Sequence, residues 1–357
     1  MKLLHLVSGA DSGGAKTHVL SLLSELGKTD DVLLVCLGDG ALSRGAAAQG
    51  LGHVVLRGGF FAQRAELDRL LQTHRPDVLH CHGARANLMG AISRRETVTR
   101  LVSTAHSDHT LDYLSRPAAA LTIGRLNGWA LGRMDALVCV SDAMAALYRR
   151  RGFENVFPLY NGLDFSLPFP KQQTDRATIA VGTAARLDPV KDLSTLLRGF
   201  ALAAEQEPRL RLRIAGTGSE EKRLRALAGT LKIADRVEFC GWVEDVERFY
   251  ALLDVVALTS LSETFPYALL MAARQGLPVV ATDVGGVSAL VKDGTSGFLI
   301  EPGDARALAR ALRQLAGDRE QRRTMGQNLR ARAEKRFTLT GMARTQREIY
   351  RQVLDIE

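Results

Sequence analysis

With 357 residues, 46% hydrophobic and 24% charged, the chain has the make-up of a globular protein large enough for two α/β domains of about 150–180 residues each. No apolar run approaches the ~18–20 residues of a membrane span, and the short apolar stretch of MKLLHLVSGADSGG reads as a first strand rather than a signal peptide. The net charge of +8 is spread over both halves. With only 6% aromatic residues and no basic stripe, it favours small anionic ligands or anionic surfaces over nucleic acid.

Short apolar runs alternate with helical patterns along the whole chain. Strands are expected at Leu3–Val7, Val32–Leu37, His53–Leu56, Val78–His80, Leu101–Thr104 and Ala136–Val140. A second series follows at Ile179–Ala184, Leu210–Ala215, Val237–Phe239, Val255–Leu258, Pro278–Ala281 and Gly297–Ile300. Helices fit between them, among them Lys16–Leu26, Leu193–Gln206, Glu221–Leu231 and Asp304–Leu315, and an amphipathic helix, Leu339–Leu354, closes the chain. Such alternation implies parallel sheets covered on both faces. The polar, proline-bearing stretch Phe165–Arg176 separates the halves. Cys36, Cys81, Cys139 and Cys240 form no Cys-x-x-Cys pair and read as buried free thiols, which points to the cytoplasm.

Ligands of doubly wound domains bind beyond the carboxyl ends of the strands, so the turns there carry the functional signal. Gly9–Ala15 follows the first strand and opens the first helix, and paired glycines such as Gly13 and Gly14 let backbone N–H groups approach a ligand. Tight packing alone also explains such a turn. Its spacing is not G-x-G-x-x-G and no acid follows on the second strand, so it is no dinucleotide fingerprint. In His80-Cys81-His82 both imidazoles share a strand face, but no carboxylate or further cysteine lies nearby in sequence, and no metal site is expected. His106 ends another strand, as a structural histidine or a ligand group. Segment Leu111–Met134 mixes apolar residues with Arg116, Arg125 and Arg133; packing is favoured over contact with a membrane surface.

In the second half, Arg186 and Lys191 stand five residues apart in a turn entering a helix, where a guanidinium fork and an ammonium can converge on one diphosphate. Glycine turns follow later strands at Ala215–Ser219 and Gly241–Val243. The richest stretch is Leu258–Gly286. There Glu263 lies in a Ser/Thr-rich turn, Pro266 fits a first helical turn, and a helix Tyr267–Gln275 is closed by Gly276. A strand, an acid-bearing turn and a helix N-terminus make a site for an anion.

Leu258–Gly286 closely resembles the donor-sugar segment of the retaining glycosyltransferases of family 4, which have the GT-B fold. One departure stands out: the family pattern is Glu, seven residues, Glu, and the second position here is Met271. Gly182–Asp192 resembles the family's G-x-x-x-R-L-x-x-x-K-G/D run, and Ser103–His109 its T-x-H-D/S segment. Ala215–Ser219 is similar to its I-x-G-x-G-P/S turn, Gly241–Val243 to the segment whose backbone reads the nucleobase, and Tyr160–Asp164 to its N-G-V/I-D segment.

The resemblance implies an α/β GT-B fold, two doubly wound parallel-sheet (Rossmann-like) domains facing a cleft. Residues 1–165 would form the acceptor-side domain, 166–338 the nucleotide-sugar-binding domain, and the helix at about 339–357 would pack back on the first. It implies retaining, hexosyltransferase-type transfer from a nucleoside-diphosphate sugar, UDP favoured over GDP, to an unidentified carbohydrate or lipid-linked acceptor in cell-envelope glycan or glycolipid synthesis. Glu263 and the N–H groups of Thr264, Phe265 and Tyr267 would hold the sugar, His106 would hydrogen-bond it, and His82 would lie on the acceptor side. Gly13 and Gly14 would lie against sugar or diphosphate, Arg186 and Lys191 would hold the diphosphate, and Gly216 and Val243 would border the nucleotide. Met271 stands where the relatives' acid holds the ribose. With no Asp-x-Asp in the chain, neither metal nor cofactor is expected, and the protein is placed in the cytoplasm, with a peripheral membrane contact as an added partner. The alternatives are another GT-B nucleotide-sugar enzyme, epimerase-like, or a nucleotide-sugar-binding module with weak turnover, which Met271 favours and Glu263, Arg186 and Lys191 oppose.

Overall fold

The computed structural model describes residues 1–9, 13–93, 99–108, 120–166 and 177–355. Residues 10–12 of the first glycine turn, the first part of segment Leu111–Met134 and most of the Phe165–Arg176 stretch lie outside the described residues. The chain divides into two compact units: Met1–Gly162 with Leu339–Glu357, and Leu163–Thr338.

The first unit is built on seven parallel strands: β1 (Lys2–Val7), β2 (Asp31–Cys36), β3 (His53–Val55), β4 (Val78–His82), β5 (Arg100–Ala105), β6 (Ala136–Cys139) and β7 (Val156–Pro158). Their order is β3-β2-β1-β4-β5-β6-β7. The central strands are buried on both faces, as parallel strands under helices must be. The chain reverses its winding between β1 and β4, a topological switch point, and there His5 lies opposite His80 and Val7 opposite His82. The three-residue β7 is not among the expected strands. It is an edge strand ending in Pro158, and a proline is tolerated only at such positions. One face of the sheet is covered by the helix Gly14–Leu26 and by Leu339–Leu354, whose Met342, Ile349, Tyr350 and Val353 pack with Leu3, Val78, Val102 and Val138.

The second unit has six parallel strands: β8 (Ile179–Ala184), β9 (Leu210–Ala215), β10 (Val237–Gly241), β11 (Val255–Leu258), β12 (Val279–Thr282) and β13 (Gly297–Ile300). Their order, β10-β9-β8-β11-β12-β13, repeats the winding of the first six strands of the other sheet, and its switch point falls between β8 and β11. Helices Leu193–Ala204 and Ala305–Gly317 pack tightly on it. A methyl group on Gly199 would come within 2.6 Å of the Leu308 side chain and 2.8 Å of the Ala305 carbonyl oxygen. Only glycine permits that approach.

One expectation needs correction. Cys36, Cys81 and Cys139 are buried free thiols, but Cys240, on the edge strand β10, is only half-buried. Burial pushes the Cys81 and Cys139 thiols up to about 12, so neither is a thiolate at neutral pH. In segment Leu111–Met134 the described helix Arg125–Leu131 is packed on one face: Asn127, Ala130 and Leu131 are buried, while Leu126 and Trp129, and Ile123 just before the helix, are 49%, 42% and 44% exposed. Arg133 covers part of this surface, its guanidinium 3.8 Å from the Trp129 ring centroid. Among the described residues no helix is long and apolar enough to cross a membrane.

Candidate functional site

In the second unit the turns leaving β8 and β11 meet at the switch point. Beyond β8 the chain makes a single tight turn, Pro189–Lys191, and Asp192, at φ 40°, caps the helix Leu193–Ala204. Its carboxylate accepts from the Thr195 N–H at 3.3 Å and the Thr195 hydroxyl at 2.6 Å, satisfying a donor that the helix end leaves open. Left-handed backbone at a non-glycine residue costs energy and persists where its surroundings enforce it. Here they do: the Thr259 hydroxyl donates to the Asp192 carbonyl (3.0 Å), and the Leu261 N–H to the Val190 carbonyl (2.8 Å).

These ties set Lys191 against Glu263. The ammonium Nζ donates to Glu263 Oε1 at 2.6 Å, and the Ser260 hydroxyl donates to the same oxygen at 2.6 Å. The side chains are 19% and 8% exposed, so the pair is shielded from bulk solvent screening. Oε2 accepts no hydrogen bond among the described residues. The turn is fixed from behind: Thr282 donates to the Ser260 carbonyl at 2.6 Å, and Gly285, at φ 58°, packs its α-carbon against the Glu263 carbonyl.

Arg186 is not joined to this pair; its guanidinium is 69% exposed and ion-paired to Asp188 at 2.8 Å. Gly216, at φ 128°, donates its N–H to the Gly241 carbonyl at 2.6 Å, which ties the turn after β9 to that after β10. Val243 is half-buried beside Trp242, which is 67% exposed. Pro266 departs from its expected place inside the first helical turn. It is extended (φ −77°, ψ 130°) and precedes the helix Tyr267–Arg274 as its N-cap. Phe265 is buried against Phe337, ring centroids 4.8 Å apart. Thr264 is half-buried, and the Tyr267 hydroxyl is buried without a partner among the described residues. On that helix Met271 is half-buried, between the buried Leu270 and Ala272.

In the first unit, Gly13 takes φ 69° and, with Gly14, is exposed at the start of the helix Gly14–Leu26. Deeper lies a cluster that motif reading along the chain misses. His80 and His82 do stack on one strand face, centroids 4.4 Å apart, but the fold adds His5 from β1, His18 from the first helix and His106 from the end of β5. His80 is bonded through Nδ1 to the Tyr350 hydroxyl (2.6 Å) and through Nε2 to the Thr104 hydroxyl (2.7 Å). The Tyr350 oxygen also meets His5 Nε2 at 3.2 Å, and His5 Nδ1 meets His82 Nε2 at 3.1 Å. His82 Nδ1 lies 3.3 Å from His106 Nε2, and His18 Nδ1 is 2.9 Å from Asn161 Oδ1. His82 is thus 2% exposed inside this cluster, rather than displayed for an acceptor, and His106 is half-buried. Burial pushes His5 down to about 3 and His18 to about 4, the latter despite its bond to Asn161. Burial, reinforced by neighbouring imidazoles, also holds His80, His82 and His106 well below the usual value. All five are neutral at pH 7.

The family model Glycosyltransferase Family 4 matches residues 12–167, and Glycosyl transferases group 1 matches residues 168–332. A D-inositol 3-phosphate glycosyltransferase of Geodermatophilus obscurus is 30% identical over 360 residues, covering 87% of this chain and 79% of that protein. The lipopolysaccharide core biosynthesis glycosyltransferase LpsE of Rhizobium meliloti is 27% identical over 335 residues, covering 89% of each. Among solved structures, Anabaena HepE in complex with UDP-glucose superimposes with a TM-score of 0.86 at 24% identity, covering 99% of this chain and 100% of that one. The chain belongs to glycosyltransferase family 4, and its two parallel-sheet Rossmann-like domains are those of the GT-B fold.

Proposed function

We propose that the protein is a retaining glycosyltransferase that moves a hexose from a nucleoside-diphosphate sugar, UDP before GDP, to a carbohydrate or lipid-linked acceptor of a cell-envelope glycan. The observation that carries this reading is the shielded Lys191–Glu263 pair at the switch point of the second sheet, with Glu263 Oε2 left to accept a sugar hydroxyl. HepE is seen with UDP-glucose, and LpsE is named for lipopolysaccharide core synthesis; both support the donor and acceptor classes. In the proposed reaction the acceptor hydroxyl forms the new bond to the anomeric carbon on the face from which the diphosphate departs. The bond from that carbon to the phosphate oxygen breaks, and the hydroxyl proton passes to the leaving diphosphate. Lys191 and Arg186 stabilise the charge that grows on it. In this reading Glu263, with the N–H groups of Thr264, Phe265 and Tyr267, holds the sugar, and Gly216 and Val243 border the nucleotide. In the first unit, Gly13, Gly14 and His106 are assigned to sugar and diphosphate.

A screen of nucleoside-diphosphate sugars by thermal shift tests the donor class, since a ligand that binds only the folded state raises Tm. A UDP-sugar is expected to give the largest rise; no response to any nucleotide sugar refutes the reading. The chain has no Asp-x-Asp and offers two cations instead. Turnover should therefore survive EDTA and gain nothing from Mg²⁺ or Mn²⁺. Loss in chelator, restored by either ion, would show a metal-bridged diphosphate.

Met271 gives a third test. A thioether is a weak acceptor where the family's acid bonds the ribose, and a charge-assisted hydrogen bond is worth about 1.5–3 kcal/mol. Met271→Glu should tighten binding of a ribonucleoside diphosphate roughly ten- to a hundredfold and that of the 2′,3′-dideoxy analogue little. Equal gains for both would remove the ribose contact.

A further inference from the structure

We propose that His18, His82 and His106 form a three-histidine binding site for a divalent transition ion of the Zn²⁺ class. Each offers a ring nitrogen within 4.8 Å of the other two. Two Zn–N bonds of about 2.0–2.1 Å at a tetrahedral angle span about 3.3 Å between nitrogens, and His82 Nδ1 and His106 Nε2 are 3.3 Å apart. His18 supplies the independent observation. It is fully buried, its Nδ1 is occupied by the Asn161 carboxamide oxygen, and its Nε2 has no partner among the described residues. A carboxamide oxygen only accepts, so Nδ1 carries the proton and Nε2 presents a lone pair. A buried lone pair without a donor is costly, and a metal ion satisfies it.

The proton bookkeeping of the cluster is consistent with the same site. If His82 Nε2–H donates to His5 Nδ1, then His5 Nε2–H donates to the Tyr350 oxygen, the Tyr350 hydroxyl to His80 Nδ1, and His80 Nε2–H to Thr104. Every ring in this sequence is neutral, and His82 Nδ1 ends with its lone pair turned to His106. The same accounting excludes His5, His80 and His82 as a ligand set, because both nitrogens of His5 and of His80 already have partners. Asn161 and His5 serve as the outer contacts that fix ligand tautomers, the usual arrangement around metal-bound imidazoles. Three protein nitrogens leave one tetrahedral position open, and the half-buried His106 provides the side of entry. The binding claim does not rest on the glycosyl-transfer reading. A metal there would occupy the His106 nitrogen that faces His82, so it is not a substitute for the diphosphate-holding cations.

Titration of the full chain with Co²⁺ alone tests the site. One equivalent is expected to produce the visible absorption of tetrahedral Co²⁺, to be displaced by Zn²⁺, and Zn²⁺ alone should raise Tm. His18→Ala and His106→Ala should abolish the absorption, and Asn161→Ala should weaken binding ten- to a hundredfold. His74→Ala, at an exposed helix end, should leave it unchanged. Absence of both the Co²⁺ absorption and the Zn²⁺-dependent rise in Tm from the unaltered protein overturns the proposal, however the variants behave. Absorption that persists in folded His18→Ala and vanishes in His74→Ala overturns it equally.

Discussion

Lys191→Ala and Glu263→Ala are each expected to lower turnover by about two to three orders of magnitude, the usual effect of removing a group that meets charge growing in a transition state or that positions the reacting sugar. The two losses should not add. Lys191 Nζ and Glu263 Oε1 are 2.6 Å apart, so each side chain depends on the other for its place, and the double variant should be little worse than the weaker single one. The routes of failure differ. Without Lys191 the carboxylate keeps Ser260 as a donor, sugar recognition partly survives, and nucleoside-diphosphate binding weakens. Without Glu263 the ammonium is released, the diphosphate is still held, and kcat falls more than affinity. Arg186→Ala should fall between wild type and these two, because its guanidinium is largely exposed and must leave Asp188 to reach a phosphate. Steady-state kinetics with the donor found by thermal shift, together with calorimetric binding of the nucleotide, distinguish the cases. Near-normal turnover in Lys191→Ala and Glu263→Ala would place the chemistry elsewhere.

Gly285→Ala should damage activity and stability together, although residue 285 carries no functional group. Its φ of 58° costs an L side chain about 1–2 kcal/mol, and the added methyl would overlap the Glu263 carbonyl oxygen, a backbone atom that cannot turn aside. Overpacking of that kind adds about 1–3 kcal/mol, so a total loss of about 2–5 kcal/mol is expected. Relief requires the Glu263 turn to move, and displacement of about 1 Å at a reacting group costs on the order of a hundredfold in rate. Gly294→Ala provides the control: φ is 67° and a methyl there meets nothing within 4 Å, so it bears the conformational cost alone. Melting curves and turnover for the two variants decide the matter. Equal effects would show that backbone conformation, and not the contact with Glu263, governs residue 285.

The fold was legible because parallel strands announce themselves: Ile179–Ala184, Val255–Leu258 and Gly297–Ile300 are continuous apolar or small-residue runs, Leu210–Ala215 alternates apolar residues with Arg211 and Arg213, and the structure returns the same bounds. What escaped was what pairs across the chain. The short β7 has too few residues and a proline, and only its neighbour β6 makes it a strand. In the second unit, Lys191 and Glu263 could be named from their turns, but their mutual ion pair depends on Thr259 and Leu261 binding the preceding loop. The histidine cluster was the larger omission. Counting ligands near His80 and His82 in sequence cannot find His5, 75 residues earlier, or Tyr350, 270 residues later. A signal was present nonetheless: a histidine inside the apolar strand Leu3–Val7 must be buried, and a buried imidazole needs a partner.

Tyr350 also sets an order of events during synthesis. The second unit, Leu163–Thr338, is one continuous stretch and can complete itself as soon as it leaves the ribosome. The first begins earlier and finishes last, because the helix that supplies Met342, Ile349, Tyr350 and Val353 to its core is translated only after the whole second unit. At translation rates of about 5–20 residues per second, the nascent sheet waits on the order of ten seconds or more with that apolar face uncovered and the His5 and His80 nitrogens without their phenol. That interval is when the newborn chain is most exposed to aggregation and most in need of a chaperone.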